Sequence, residues 1–338
     1  MSFSTPRWWY VRKGAPYLRL VLWPLAWIWA GVTAWRIGHA KPGDPGVPVI
    51  CVGNLTLGGA GKTPVVREIL LRLTKAKIKA HGLSRGHGGR AVGPLQVDPD
   101  NHDAAMVGDE PLMLAQDFPF WVAQDRLAGA KAAKAAGADV VVMDDGHQNP
   151  SVKKALSIIV VDGETRGQEW PFGDGAVFPV GPMREPLKKG LARADAVVVL
   201  LPHGMSKIDD ELKVLFGYKP VLIARIEAPA PPPRGPQLGF AGVGKPWKVE
   251  RALTEAGCQL VDFAPFPDHD PYDDETLTFL AGRAALFGAG MVTTEKDWVR
   301  LPMHWRLRVT PWPVRAKFEN EAMLDLLLAK AMGDKPAA

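Results

Sequence analysis

Apolar residues along this chain gather into short unbroken runs, and the segments between them carry helical spacing. Runs at 47–52, 79–83, 120–123, 138–143, 157–161 and 196–201 read as strands, while 64–75, 109–116 and 126–136 read as helices. Strands that are apolar throughout, rather than alternating, belong to a parallel sheet covered on both faces. The expectation for residues 44–227 is therefore an α/β domain with a P-loop-type parallel sheet and helices on both sides. Residues 228–236, Ala-Pro-Ala-Pro-Pro-Pro-Arg-Gly-Pro, form a stiff extended hinge. Beyond it, residues 237–338 read as a second, smaller α/β domain. Its strands are expected near 238–241, 259–263 and 290–293, with helices through 256 and over 274–287.

The first 43 residues break this pattern. They hold Arg7, Arg12, Lys13, Arg19, Arg36 and Lys41 without one acidic residue, and with Trp8, Trp9, Trp23, Trp27, Trp29 and Trp35 they carry six of the twelve tryptophans. The formal charge of +5 thus resides in this segment. Cations and tryptophan around an apolar helix suit the headgroup level of a membrane. The uncharged stretch, residues 20–35, is shorter than the roughly 20 residues that span a bilayer. A helix lying in or dipping into the membrane face is expected, with a spanning helix, a signal segment or a buried core helix as alternatives. Because the charge is interleaved with apolar residues, no nucleic-acid partner is expected. At 338 residues, 47% hydrophobic and 23% charged, the chain can bury two cores. Its two cysteines, Cys51 and Cys258, offer no disulfide framework.

Chemistry concentrates after the first strand, in the run from Gly53 to Pro64 that ends in Gly61-Lys62-Thr63. Glycines 58, 59 and 61 allow backbone N–H groups to turn around an anion, and the following helix points its positive end there. Lys62 would reach the terminal phosphates and Thr63 would ligate Mg²⁺. Thr56 stands where the strict pattern has glycine. Four apolar residues ending in Asp144-Asp145-Gly146 resemble the strand that brings a carboxylate to such a metal, Asp144 more than Asp145. A strand-to-turn junction would look similar. Asp109 and Glu110 open a helix, where a capping role and a role at an acceptor hydroxyl are equally compatible. His269, between Asp268 and Asp270, is either a loop histidine held by its neighbour or an imidazole that reaches across the interdomain cleft. Arg85, Arg126 and Arg184 suit anionic substrates, though each alone is better explained as a surface or salt-bridge residue. Thr294 and Asp297 in Thr-Thr-Glu-Lys-Asp either cap a helix or contact nucleotide.

Taken in order, these motifs resemble the tetraacyldisaccharide 4′-kinase family. The resemblance spans Val52-Gly53-Asn54-Leu55-Thr56 with Gly-Gly-Ala-Gly-Lys-Thr-Pro, Leu83-Ser84-Arg85-Gly86, Val107-Gly108-Asp109-Glu110-Pro111, Asp144-Asp145-Gly146 with Gln148, and Gly181-Pro182-Met183-Arg184-Glu185-Pro186. It continues through Phe240-Ala241-Gly242-Val243-Gly244, Phe266-Pro267-Asp268-His269 and residues 293–297. It implies ATP- and Mg²⁺-dependent phosphorylation of the 4′-hydroxyl of a lipid-linked glucosamine disaccharide. It also implies a monotopic enzyme on the cytoplasmic face of the inner membrane, with no obligate protein partner. Position by position, Asp109 would be the catalytic base paired with His269. Thr56, Gly58, Gly59, Ala60, Gly61, Lys62 and Thr63 would hold ATP, and Thr63, Glu110 and Asp144 would stand near the metal. Arg126 and Arg184 would contact the transition state or substrate, and Ser84, Arg85, Asp145 and Gln148 the acceptor. Local departures from the family pattern, at His87, His147, Asn149 and Asp174, bear on acceptor contacts more than on the nucleotide. The rival reading is a membrane-associated nucleotide switch or coupling ATPase, which the glycine loop and the acidic strand fit equally well.

Overall fold

The computed structural model describes residues 6–11, 16–164 and 169–333. A 24-residue helix α1 (Pro16–His39) comes first, and β1 (Val49–Gly53) then leads through the glycine loop into α2 (Lys62–Lys75). Next come β2 (Ala80–Ser84), β3 (Leu95–Gln96), α3 (Ala104–Val107), α4 (Asp109–Ala115) and β4 (Phe120–Val122). They are followed by α5 (Arg126–Ala135), β5 (Val140–Asp144), β6 (Leu156–Asp162), α6 (Leu187–Ala192), β7 (Ala196–Leu200), α7 (Asp210–Phe216) and β8 (Val221–Glu227). After the proline-rich segment stand β9 (Pro236–Ala241), α8 (Pro246–Glu255), β10 (Gln259–Pro265), α9 (Asp274–Leu286) and β11 (Gly290–Thr294). The chain closes with α10 (Glu295–Trp298), α11 (Met303–Arg306), β12 (Val309–Trp312), β13 (Arg315–Phe318) and α12 (Glu321–Ala331).

Two sheets result. The larger has nine strands in the order β13-β8-β7-β6-β1-β5-β2-β4-β3, parallel except at its two edges, where β13 and β3 run antiparallel to their neighbours. The smaller, β10-β9-β11-β12, is parallel throughout. The uniformly apolar runs do form the middle of the large sheet, and every residue of β1, β5 and β7 is buried. Helix α2 lays Val65, Val66, Ile69, Leu70 and Leu73 on one face of that sheet. The mixed α/β expectation with a large parallel-rich sheet is met.

The expected boundary at 237–338 is corrected by the end of the chain. After β12 the polypeptide crosses back: β13 pairs with β8, and Leu324, Leu327 and Leu328 of α12 join the large-sheet core. The smaller unit is thus an insertion between β8 and β13, entered through 228–235, and Pro236 already belongs to β9.

Helix α1 also differs from the sixteen uncharged residues that suggested a short segment. At 1.5 Å per residue its 24 residues reach about 36 Å, with Pro24 inside. Arg19 extends the helix at low cost because it ion-pairs with Asp174. Among the described residues this is the one helix long and apolar enough to cross a membrane. Ala26 packs on Ala176 and Val180, and the Trp29 ring lies 5.0 Å from Phe178. Tyr17, Leu20, Val21, Trp27, Ile28 and Trp35 are exposed. Arg12, Lys13 and the side chain of Arg7 lie outside the described residues.

Leu324, fully buried, tests the return of the C-terminus to the large core. Leu324→Ala should cost about 2–5 kcal/mol in chemical denaturation, the range for an emptied leucine site. A loss below about 0.5 kcal/mol, the range of surface substitutions, would remove α12 from that core.

Candidate active site at the junction of the two units

Three adjacent strands end level. Val52 of β1 pairs with Asp144 of β5, and Leu83 of β2 pairs with Met143. The loops after them, carrying the glycine run, Asp145 and Arg85, therefore open at the carboxyl edge, where parallel sheets place ligands. The glycine loop is braced from both sides. Asn54 Nδ2 donates to Thr56 O at 2.8 Å, Arg184 Nε donates to the same oxygen at 3.0 Å, and Leu57 N donates to Pro182 O at 2.7 Å. Thr56 thus contributes its carbonyl to a scaffold, which a glycine there would leave less constrained. Gly61 caps α2 at φ +75°, a left-handed conformation that favours glycine.

At the end of β5 the two aspartates differ sharply. Asp144 is buried, and its Oδ1 has no hydrogen-bond partner. Burial, with Glu110 adding like charge, raises its carboxyl to about 7. Asp145 retains 37% side-chain exposure and stands 3.7 Å from Lys62 Nζ and 2.8 Å from Arg184 Nη1. Desolvation would raise it, but Lys62 and Arg184 outweigh that and hold it below the usual carboxylate range. Arg126, at the start of α5, is buried with its Nε unpartnered, and Nη1 donates to Ala123 O at 2.5 Å. Burial, then Arg85, lowers it to about 10.

The smaller unit supplies the other wall. His269, at φ +62°, places Nδ1 2.9 Å from Oδ2 of Asp109 across the interface. Asp109 is only 4% exposed. Burial would raise its carboxyl, yet the His269 hydrogen bond, Lys296 and Arg300 together bring it down to about 2. The same hydrogen bond raises His269 against the opposing effects of burial and Lys296. Gly108, at φ +92°, turns the chain into α4; a Cβ there would meet His87 O at 2.7 Å. The 242–244 turn reaches the glycine loop itself, for a Cβ on Gly244 would stand 3.4 Å from Gly59 N.

A family profile described as Tetraacyldisaccharide-1-P 4′-kinase matches residues 18–332. Tetraacyldisaccharide 4′-kinase of Caulobacter vibrioides is 68% identical over 330 residues, which is 97% of this chain and 98% of that one. The kinase of Maricaulis maris is 47% identical over 95% of this chain and 93% of its own length. The chain belongs to the tetraacyldisaccharide 4′-kinase family. Among solved structures, LpxK from Aquifex aeolicus in complex with ATP aligns with a TM-score of 0.73 at 25% identity, over 93% of this chain and 99% of that one.

Within this member of the kinase family, the expected site residues separate into two groups. Lys62, Asp144, Asp145, Arg184, Arg126, Asp109 and His269 converge at the carboxyl edge and the facing wall. Ser84 and Gln148 are engaged in bracing: Ser84 Oγ accepts from Gly86 N at 3.1 Å, and Gln148 Nε2 donates to Asn54 O at 2.9 Å and Glu185 Oε1 at 3.0 Å. Arg85 is exposed. Glu110 Oε1 accepts from Lys296 at 3.2 Å. Lys296, Arg300 and Asp268 had no assigned role in the sequence reading. The signal for Lys296 was the Thr-Thr-Glu-Lys-Asp motif, in which Thr294 does cap α10, accepting from Asp297 N at 3.0 Å; that for Asp268 was its place beside His269, and Arg300 lay outside every motif.

Three departures from the kinase pattern serve packing. His147 is buried between Ser157 Oγ and Gly190 O, each at 2.9 Å, and burial followed by Arg193 lowers it to about 3. Asn149 closes a turn onto Ser151, and Asp174 holds Arg19 and Ala176 N. His87 alone stands beside the interface pair, its ring 5.9 Å from that of His269.

The residues present fit a nucleotide with its magnesium ion. The unpartnered Asp144 Oδ1 at the end of β5 suits the metal, and the left-handed Gly61 at the head of α2 suits the phosphates. Asp144→Asn should abolish the Mg²⁺ dependence of ATP binding in calorimetry; a titration identical to wild type would remove Asp144 from the metal.

Proposed function

We propose that this chain transfers the γ-phosphoryl group of ATP to the 4′-hydroxyl of a tetraacyldisaccharide 1-phosphate, in lipid A biosynthesis. Family membership over nearly the whole chain supports the reaction. The observation that carries the mechanism is Asp109, a buried and ionised carboxylate bonded to His269 of the other unit.

The 54–63 loop would hold the triphosphate, with Lys62 at the terminal phosphates, and Thr63 with Asp144 would hold Mg²⁺. When bound, the metal supplies charge neutralisation at the phosphoryl oxygens. The protein's part is positioning and charge. Asp109 accepts or orients the proton of the sugar hydroxyl, and His269 fixes the carboxylate against rotation. Arg126 and Arg184 place cationic charge beside Asp145, where anionic oxygen would accumulate. The turn of 242–244 stands against Gly59 and would flank a triphosphate held by the loop. A nucleotide switch would need the glycine loop and Asp144, but it would not need an aspartate–histidine pair spanning both units.

Helix α1 would hold the enzyme at the cytoplasmic face of the inner membrane through its exposed tryptophan and aliphatic residues. That places the site at the leaflet where an acylated acceptor presents its sugar.

Two outcomes are expected. Wild-type protein should move label from γ-labelled ATP onto the disaccharide lipid, and Asp109→Ala should lower turnover by about 10²–10⁴-fold while ATP still binds. Acceptor-independent hydrolysis at full rate would favour the switch, and an unimpaired Asp109→Ala would end the base assignment. Removing residues 1–40 should release the protein from vesicles in a flotation gradient; continued flotation would place the membrane contact elsewhere.

A further inference from the structure

The single turn of α10 sets one ammonium among four groups of the site. Lys296 Nζ lies 3.2 Å from Glu110 Oε1, 3.3 Å from Asp268 Oδ1, 3.4 Å from His269 Nε2 and 3.9 Å from Asp109 Oδ2. Its side chain is 17% exposed, so little water competes for those contacts. An ammonium has donors and no acceptor. The nitrogen of a neutral imidazole that faces it is therefore the one with the lone pair. That leaves the ring proton on Nδ1, which donates to Asp109 Oδ2 at 2.9 Å. The other tautomer would set N–H against N–H on one side and a lone pair against a carboxylate on the other, making both contacts repulsive.

We propose that Lys296 is a positioning residue: by facing His269 Nε2 it selects the Nδ1–H tautomer, and through that hydrogen bond it orients the carboxylate of Asp109. The inference rests on Asp109 and His269 acting as the base pair. Lys296 is itself placed by the Thr294 cap of α10 and by Glu110 and Asp268 on either side. Arg300 Nε, 3.8 Å from Asp109 Oδ2 and without a hydrogen-bond partner, adds charge, while its two Nη groups are held by Asp270 O, Gly242 O and Asp297. Because Lys296 and His269 both come from the smaller unit while Asp109 and Glu110 come from the larger, the tautomer and the base geometry are set together when the units meet.

The test is a double-mutant cycle on the full-length enzyme, with turnover on lipid acceptor and KM for ATP measured for each protein. Lys296→Met should lower kcat by about 10–100-fold, the scale of a misplaced catalytic group, with KM for ATP little changed. Lys296→Arg should recover most of the loss. In a His269→Ala background the Lys296→Met change should cost markedly less, because the imidazole it orients is gone and only its direct charge on Asp109 remains. An equal fold-loss in both backgrounds, or wild-type kcat in Lys296→Met, overturns the proposal. If His269→Ala alone turns over normally, the base-pair reading fails, and this inference falls with it. Selective ¹⁵N-histidine labelling of wild-type protein, with His269 assigned by its absence from His269→Ala, gives a reading that needs no lysine variant. A protonated Nδ1 and a lone-pair Nε2 are expected; the reverse tautomer refutes the proposal.

Discussion

A carboxylate that is 4% exposed cannot stay ionised without nearby positive charge and donors, and the fold is organised around that requirement at Asp109. Its own unit supplies one donor, Glu110 N at 2.9 Å. His269, Lys296 and Arg300 all come from the inserted unit. That carboxylate is thus ionised and aligned as a property of the interface, not of either sheet. Further charge pairs cross the same boundary: Arg67 with Glu295, Lys245 and Lys248 with Asp162, and Lys248 and Arg251 with Glu164. Each such pair contributes little stability where it is wet. Set on both flanks of the cleft, they restrict how the two units can meet.

The return of β13 and α12 sharpens this. A single proline-rich tether would allow the smaller unit to swing in many directions. With a second crossing at 313–314, just before β13 joins β8, the two connections define an axis. Any opening of the cleft would be a rotation about that axis, and it would part the 242–244 turn from Gly59 and His269 from Asp109 together.

The parts of the site that were legible in the sequence are those with local causes. A glycine loop between an apolar strand and a helix, or an acidic pair ending an apolar run, needs only its neighbours to be recognised, and both stand where expected. What escaped is non-local. The β13 segment Arg315-Ala-Lys-Phe318 alternates exposed and buried residues, a weak signal in four residues, and its meaning depends on β8 almost ninety positions earlier. Lys296 lay inside a motif with a sufficient local explanation as a helix cap. That explanation holds, yet the cap also aims the lysine at a carboxylate 187 positions away. For His147, a departure from the family pattern suggested an effect on the acceptor. Burial beneath the sheet's edge instead makes it a packing residue, which no local pattern separates from a surface histidine.

The amino-terminal helix is part of the same mechanical unit as the glycine loop. Trp29 Nε1 donates to Arg184 O at 2.9 Å, Arg184 Nε donates to Thr56 O, and Arg184 Nη1 grips Asp145. Tyr10, just ahead of α1, donates its hydroxyl to Leu57 O at 2.6 Å. An anchor joined by a flexible linker would hold the enzyme near a membrane but leave the height of its active site undefined. Here two successive hydrogen bonds, meeting at Arg184, join the apolar helix to the loop that would hold the triphosphate. For an acceptor whose acyl chains fix its sugar at the surface of a leaflet, that rigidity would convert membrane attachment into substrate alignment. The entropic cost of bringing a sugar hydroxyl to Asp109 would then be met in part before the lipid arrives.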